Sequence, residues 1–439
     1  MPLLRRRLLY CLFFLIFFIS APIVVLWAEG YHYNFSKRRL EKTGVLFLES
    51  KPTKAEIYLN GKLQKDKTEA MLKNLLPGQY EVMLQKEGYQ PWKKNLAVRT
   101  SETTFAQYIR LFKQKPILTN LLPFKIMALS QANKESVALV YEDNKINKVA
   151  LLNLETDAID PLAELNFKPT ILKISPRQSF ILVSDDKQNL VIDLKNKKLY
   201  DLNKIIQKQI VRLKWTSFDR DENLYFSSAA GLKKIDLVSF NILSLITEPV
   251  IDWQIINNNI YYLAKVKNQV ALKKTNFNQL QTAEILNLLP LLESYIFEQS
   301  PENYLAILDK QNKIFYWLDL AGLEKMKVFS ETEYVKWFAL SEQMMLGNKF
   351  EIALYDFKKN EENFILRLSS EIKDAAWYML PTHIYFATPD GLKIIETTLQ
   401  EKNMNVLIQQ AGIEKIFSDL KGNKVYFSAE NGLNVAEIQ

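Results

Sequence analysis

The sequence predicts an all-β chain of 439 residues: an N-terminal transmembrane helix, a small β-sandwich, and an eight-bladed β-propeller, with seven blades as the runner-up. Three observations carry this. Three hairpins are near copies of one another: Asn223–Leu237 (NLYFSSAAGLKKIDL), His383–Thr397 (HIYFATPDGLKIIET) and Lys424–Ile438 (KVYFSAENGLNVAEI). Their phenylalanines Phe226, Phe386 and Phe427 stand 160 and 41 residues apart, so the first gap holds four units of about the second. A period near 40 residues built from short strands marks a propeller. The second observation is an uncharged apolar run at Leu8–Ala28, and the third is a crowd of short strand signals over residues 44–111.

The apolar run LLYCLFFLIFFISAPIVVLWA has 21 residues, about 30 Å of helix, which matches the hydrocarbon thickness of a bilayer. Residues 1–28 are therefore read as a cytoplasmic tail and signal anchor, with membrane contact through residues 8–28. Arg5-Arg6-Arg7 precede the run, and Trp27, Tyr31 and Tyr33 follow as interfacial aromatics. A cleaved signal peptide fits less well, because no small-x-small site precedes a sensible cut and Pro22 follows Ser20-Ala21. Leu8-Leu9-Tyr10 before Cys11 is not a lipobox, which argues against lipidation. Lys37, Arg38, Arg39 and Lys42 lie on the far side, but the three arginines abut the helix. That proximity predicts a cytoplasmic N-terminus, with the bulk of the chain outside the cytoplasm.

A polar, aromatic juxtamembrane linker, 29–43, leads to a β-sandwich at 44–112. Val45 and Phe47, then Ile57 and Leu59, mark one face of two short strands, with Asn60-Gly61 as the tight turn. Leu76-Pro77-Gly78 makes another turn, Tyr80–Leu84 alternates again, and Gly88–Trp92 closes a further corner before Leu96–Val98 and Phe105–Leu111. Six or seven strands in so short a stretch indicate a sandwich. The residues that carry a resemblance are Gly44, Ser50-x-Pro52, Ala55-x-Ile57-Tyr58-Leu59-Asn60-Gly61-Lys62, Leu75-x-Pro77-Gly78-x-Tyr80-x-Val82 and Lys86-Glu87-Gly88-Tyr89-x-Pro91-Trp92. In these the segment resembles the PEGA domain family. It departs from the family at Lys65-Asp66-Lys67-Thr68-Glu69, where a Gly-x-Thr-Pro turn is common. The resemblance implies an extracytoplasmic, envelope-associated β-module, often beside a membrane anchor, and no catalytic residue. Tyr89 and Trp92 are read as core and corner packing.

The propeller spans 113–439. Its repeat continues as an apolar run ending in Asp or Asn, then Leu or Phe: Asn153-Leu154, Asp193-Leu194, Asp236-Leu237, Asn276-Phe277, Asp319-Leu320 and Asp356-Phe357. An Asp or Asn there is predicted to bond backbone at the turn leaving the strand rather than to bind a ligand. Trp215, Trp253, Trp337 and Trp377 recur as first-strand aromatics. Seven full units fit between Phe124 and Gly412, and Ile413–Gln439 has room for three strands. The lone strand 115–122 is predicted to complete that last blade, which closes the ring and removes two open sheet edges. The weakest units are 124–165, with strands at Val137–Tyr141 and Val149–Leu154, and 291–332; merging two weak units gives the seven-bladed alternative. Leu202–Ile210 and Leu286–Leu292 are candidate helical turns.

The formal charge of +8 is unevenly placed: +5 over residues 1–43, +4 over 44–112 and −1 beyond. A near-neutral repeat region argues against nucleic acid as a partner. Lone Cys11 excludes an internal disulfide, and with only His32 and His383 the common zinc sets are missing. No G-x-S-x-G, G-x-G-x-x-G, Walker or calcium-loop spacing occurs. No catalytic, metal or cofactor-binding residue is therefore assigned. Asp185-Asp186 and Asp219-Arg220-Asp221 are read as solvated loops. The expectation is a non-catalytic, membrane-anchored scaffold or recognition protein of the cell envelope, needing no cofactor and binding a protein, peptide or glycan through propeller loops. Basic charge near the anchor suits anionic headgroups or wall polymers. The alternatives are a propeller hydrolase or lyase acting on a surface polysaccharide through carboxylates, and a structural spacer.

Overall fold

The computed structural model describes residues 3–439 apart from 36, 132–134, 217–218, 279, 281, 292–293, 323–325, 339–340 and 399–400, with the side chains of 3–8 also left aside. The Arg5–Arg7 side chains and Leu292 thus lie outside the described residues. By its contacts the chain divides into one unit of residues 1–116 with 398–407 and 438–439, and another of 117–397 with 408–437.

In the first unit a helix, Leu3–Ala28, contains the segment Leu9–Ala28, which is long and apolar enough to cross a membrane. A hairpin, Tyr31–Asn34 with Arg39–Lys42, follows it. Asn34 Nδ2 (2.7 Å), Arg39 Nε (2.6 Å) and Lys37 Nζ (3.2 Å) all donate to the Glu41 carboxylate. These bonds hold its pKa at about 2.

Seven strands then form two sheets. Gly44–Lys51 lies between Ala70–Leu75 and, in parallel, Thr103–Arg110. The other sheet runs Lys62–Lys67, Glu56–Leu59, Gly78–Gln85, Trp92–Val98. Asn60 and Gly61 take φ of 47° and 76°, the left-handed pair a two-residue hairpin turn requires. Ile57, Leu59, Val82, Leu84 and Trp92 form the core with Leu46 and Leu48. The phase assigned to the first strand was off by one residue: Leu46 and Leu48 are buried, while Val45 and Phe47 are only half-buried. The run Val45-Leu46-Phe47-Leu48 is apolar on both faces, so alternation cannot choose between them. Phe47 instead meets Phe105 across the outer face, ring centroids 5.9 Å apart. In the departing loop, Thr68 Oγ1 accepts from Ala55 N (2.9 Å) and shares a 2.6 Å bond with Ser50 Oγ.

The second unit repeats one motif. Eight four-stranded antiparallel sheets follow in chain order, and their first strands are Ile126–Gln131, Ile171–Ile174, Arg212–Lys214, Asp252–Ile256, Tyr295–Glu298, Tyr334–Phe338, Asp374–Trp377 and Lys415–Ser418. Seven sheets are continuous in sequence. The eighth joins Lys415–Ser418, Lys424–Ala429 and Gly432–Glu437 to Ile117–Leu122, which pairs antiparallel with the last strand from Ile117 opposite Glu437 to Leu122 opposite Leu433. Apolar clusters join each sheet to the next from the first to the seventh, and the eighth to the first. Leu182 and Val191 pack with Leu224 and Phe226, Tyr261 and Leu263 with Leu305 and Ile307, and Leu139 and Leu152 of the first sheet with Tyr426 and Leu433 of the eighth. Tyr426 Oη secures that last contact by donating to Leu154 O (3.0 Å) and Asp157 Oδ1 (2.6 Å).

The three copied hairpins share a further feature. Gly231, Gly391 and Gly432 sit at their tips with φ of 105°, 148° and 110°, and a Cβ there would meet Ile246 O, Ile408 O and Leu122 O at 1.9–2.1 Å. Leu122 therefore occupies the place that the fourth strand fills in the third and seventh sheets. Leu202–Ile206 is a short helix capped by Asp201, whereas Leu286 lies in the strand Glu284–Pro290, so the helical turn expected at Leu286–Leu292 is corrected. Its alternation against Gln269–Asn276 gives the backbone a ladder to join, which overrides local preference.

Candidate functional site

The first strands of the eight sheets face a central space within the second unit. A cavity of about 320 Å³ is lined by Gln131, Glu298, Trp337, Trp377 and Phe417, drawn from five of those sheets. A larger one, about 640 Å³, is lined by Lys173, Arg212, Lys214, Asp252 and Glu298, with Lys310 and Asp186 at its mouth. Glu298 lines both.

The charge in the larger cavity is organised by one carboxylate. Asp252 is fully buried, with Lys214 Nζ 2.7 Å from each of its oxygens and Arg212 Nη1 3.0 Å from Oδ1. Phe297 N donates to Oδ2 at 2.6 Å, and Lys214 Nζ also donates to Trp253 O at 2.9 Å. Three consecutive sheets are thereby tied together. The same latch recurs between the sixth and eighth sheets: Lys336 Nζ donates to Asp374 Oδ1 (3.0 Å) and to Ala375 O, while Ile416 N donates to Asp374 Oδ2 (3.0 Å). In both, lysine and aspartate are 38 residues apart. Sequence reasoning missed this device, although the Lys-Trp pairs at 214–215 and 336–337, each followed 38 residues later by Asp, were its visible signal.

Burial drives the remaining electrostatics. Desolvation pulls the Lys214 pKa down against the opposing pull of Asp252. Lys173 opens onto the cavity, yet the surrounding protein and then the neighbouring Lys214 lower it to about 8, with Arg212 adding to this and Asp252 and Glu298 opposing it. Desolvation pushes Glu298 up, opposed first by Lys310.

The residues singled out from sequence are distributed as follows. The six Asp/Asn of the repeat series serve the turns. The side-chain oxygen accepts the backbone N–H two residues on at Asn153 (2.9 Å), Asp193 (2.9 Å), Asp236 (2.9 Å), Asn276 (2.9 Å) and Asp319 (2.9 Å), and three on at Asp356 (3.1 Å). Asp185 behaves likewise, accepting from Lys187 N and Gln188 N, and Asp186 is exposed. Asp221 is not a solvated loop residue. It is buried, and its carboxylate accepts from Ser175 Oγ (2.5 Å), Arg177 N (3.0 Å) and Ser179 N (3.1 Å) of the preceding sheet. Its partners lie more than 40 residues away, which hid them from local reading. Asp219 accepts from Tyr225 Oη (2.6 Å) and Asn223 Nδ2 (2.9 Å). His383 is buried at a strand start with Nδ1 2.9 Å from Thr382 Oγ1. Trp253, Trp337 and Trp377 do lie on first strands, and Trp215 follows one. Among the described residues, no three His, Cys, Asp or Glu are grouped to hold a metal ion.

No curated protein matches the chain. Among solved structures, the C-terminal WD40 domain of Sif2 aligns with 74% of this chain and 99% of its own length, at 11% identity and a TM-score of 0.50. The Dos1 propeller aligns over 74% of this chain and 95% of its own length, at 14% identity and a TM-score of 0.52. At such identities the likeness is one of fold. Residues 43–113 match the PEGA domain. The chain thus joins a membrane-anchor candidate helix and a PEGA match to a repeat region with the propeller fold.

Proposed function

We propose that this protein is a single-pass membrane protein in which residues 1–28 anchor, 29–43 link, 44–112 form the PEGA-like stalk and 113–439 form an eight-bladed propeller displayed outside the cytoplasm. The propeller acts without catalysis, as a scaffold or recognition surface of the cell envelope for a protein, peptide or glycan. The observation that carries this reading is the closed succession of eight sheets, sealed by Ile117–Leu122 against Gly432–Glu437. A succession of sheets closed on itself holds many loops in fixed relation, which suits it to grasp a partner.

One observation favours the hydrolase or lyase alternative: Glu298, in the cavity, has its carboxyl pushed toward the neutral form by burial. Three measurements test the proposal: one its orientation, one its partner and one the catalytic alternative. A reporter fused after Gln439 is expected to be active only outside the cytoplasm; activity confined to the cytoplasm reverses the orientation. Photo-crosslinkers at Asp186 and Lys310, in native cells, are expected to capture one envelope partner reproducibly. Turnover of envelope glycans by the purified chain, abolished by Glu298→Gln, would replace the scaffold reading with catalysis.

A further inference from the structure

The larger cavity is lined by four cations, Lys173, Arg212, Lys214 and Lys310, and four carboxylates, Asp185, Asp186, Asp252 and Glu298, and Arg212 and Lys214 are already engaged by Asp252. Asp252 Oδ2 accepts from Lys214 Nζ and Phe297 N, while Oδ1 is ion-paired with Lys214 and Arg212. Lys173 makes no hydrogen bond or ion pair among the described residues, and its Nζ opens onto the cavity from the neighbouring first strand. Lys310 likewise has no direct partner among the described residues and stands at the mouth, on the turn between Tyr304–Asp309 and Ile314–Asp319. Asp185 accepts hydrogen bonds within its own turn, and the charges that act most on Lys173 are those of Lys214, Asp252, Arg212 and Glu298. Burial raises the Glu298 pKa, with Lys310 opposing it first. Lys173 is exposed, so its ammonium is open to a ligand that enters the cavity.

We propose that this cavity is a binding site for an anionic oxygen group, a carboxylate or phosphate of a ligand, received by Lys173 Nζ with the outer face of Arg212 as its second donor. The volume of about 640 Å³ falls within the range of small-molecule sites. Ile171, Leu213 and Phe297 supply an apolar wall for the rest of the ligand. Lys214 is the positioning residue: locked on Asp252, it holds Arg212 and Lys173 in a field that an anion relieves. The inference deepens the recognition reading above, but the binding itself does not depend on membrane orientation or on any envelope partner.

The depressed pKa of Lys173 gives the site a signature. An anion binds the protonated amine, so binding raises that pKa above about 8 and takes up a proton near that pH. Affinity is therefore full below about 8 and falls as pH rises above it, approaching ten-fold per pH unit. The test is calorimetric titration of the full chain in detergent with two probes, inorganic phosphate and succinate, at pH values either side of 8. We expect saturable binding of at least one probe at millimolar concentration, with proton uptake; which probe binds identifies phosphate or carboxylate chemistry. Lys173→Met and Lys173→Gln should each weaken it about ten-fold or more and abolish the pH dependence. Lys421→Met, at an exposed pair with Glu155, should leave it unchanged. The proposal is overturned if neither probe binds, or if binding persists unaltered in a Lys173 variant whose melting curve matches the parent. Such failure leaves the crosslinking and reporter outcomes untouched, and failure of those leaves this one standing.

Discussion

Closure of the repeat array depends on a position that can carry no side chain. At Gly432 a Cβ would lie 1.9 Å from Leu122 O and 2.9 Å from Phe124 N, and φ is 110°, so Gly432→Ala sets strain and collision together. Real Cβ atoms stay beyond 3.0 Å of their neighbours, so the strand Ile117–Leu122 must retreat by about 1.1 Å. That stretches ladder bonds of ordinary length out of hydrogen-bonding range. The backbone strain costs about 1–3 kcal/mol. Two lost ladder bonds add about 0.5–1.5 kcal/mol each. The sum, about 2–6 kcal/mol, rivals the stability of an ordinary domain and falls on the joint between the first and last segments of the repeat region. Hydrogen exchange of the full chain, read by mass spectrometry on the peptide containing 117–122, is the assay. Gly432→Ala should lower protection there at least ten-fold and extend the loss to Gly432–Glu437. Gly231→Ala carries the same 1.9 Å collision with Ile246 O, and its effect should remain within the third sheet. Gly78→Ala, with nothing within 4 Å, is the control. Unchanged protection of 117–122 in Gly432→Ala would refute the closure argument.

Three other outcomes follow from the same contacts. Asp252→Asn removes the buried counter-charge of the part-buried Lys214 and Arg212 and should cost about 3 kcal/mol in chemical denaturation, with Lys214→Met in the same chain recovering part of the loss. Asp236→Ala removes acceptors for Val238 N (2.9 Å) and Ser239 N (2.8 Å); it should cost about 1–2 kcal/mol, with exchange speeding at residues 236–241 only. Glu41 ionises at about 2 in the folded hairpin against 4.5 otherwise, so its stabilising bonds are present above 4.5 and lost as pH falls through 2. Exchange at Tyr31–Asn34, corrected for its intrinsic pH dependence, should rise across that window, and the rise should vanish in Glu41→Gln.

Much of the repeat architecture was legible because its causes are local. Phe226, Phe386 and Phe427 recur because each is a fully buried anchor of a second strand. The Asp and Asn series recurs because a turn needs a short acceptor two or three residues upstream. The Asn60-Gly61 hairpin announces itself for the same kind of reason, since few residue pairs accept two left-handed conformations in succession. Where both faces of a strand are apolar, as at Val45–Leu48, the pattern lost its phase, and the partner sheet decided which side turned inward.

The candidate site was not legible. Lys173, Lys214, Asp252 and Glu298 come from four successive units, and a periodic pattern records that each unit has a first strand without recording which charges will face one another. Asp221 read as a loop acid for the same reason, because the donors that bury it arrive from the sheet before. Short-range physics, meaning alternation, turn chemistry and the length of an uncharged apolar run, is written in contiguous residues and sufficed for fold class and for the membrane-length helix. Electrostatic balance is a sum over groups within a few ångströms in space. It came into being only when the eight sheets packed side by side and excluded water from the cluster around Asp252.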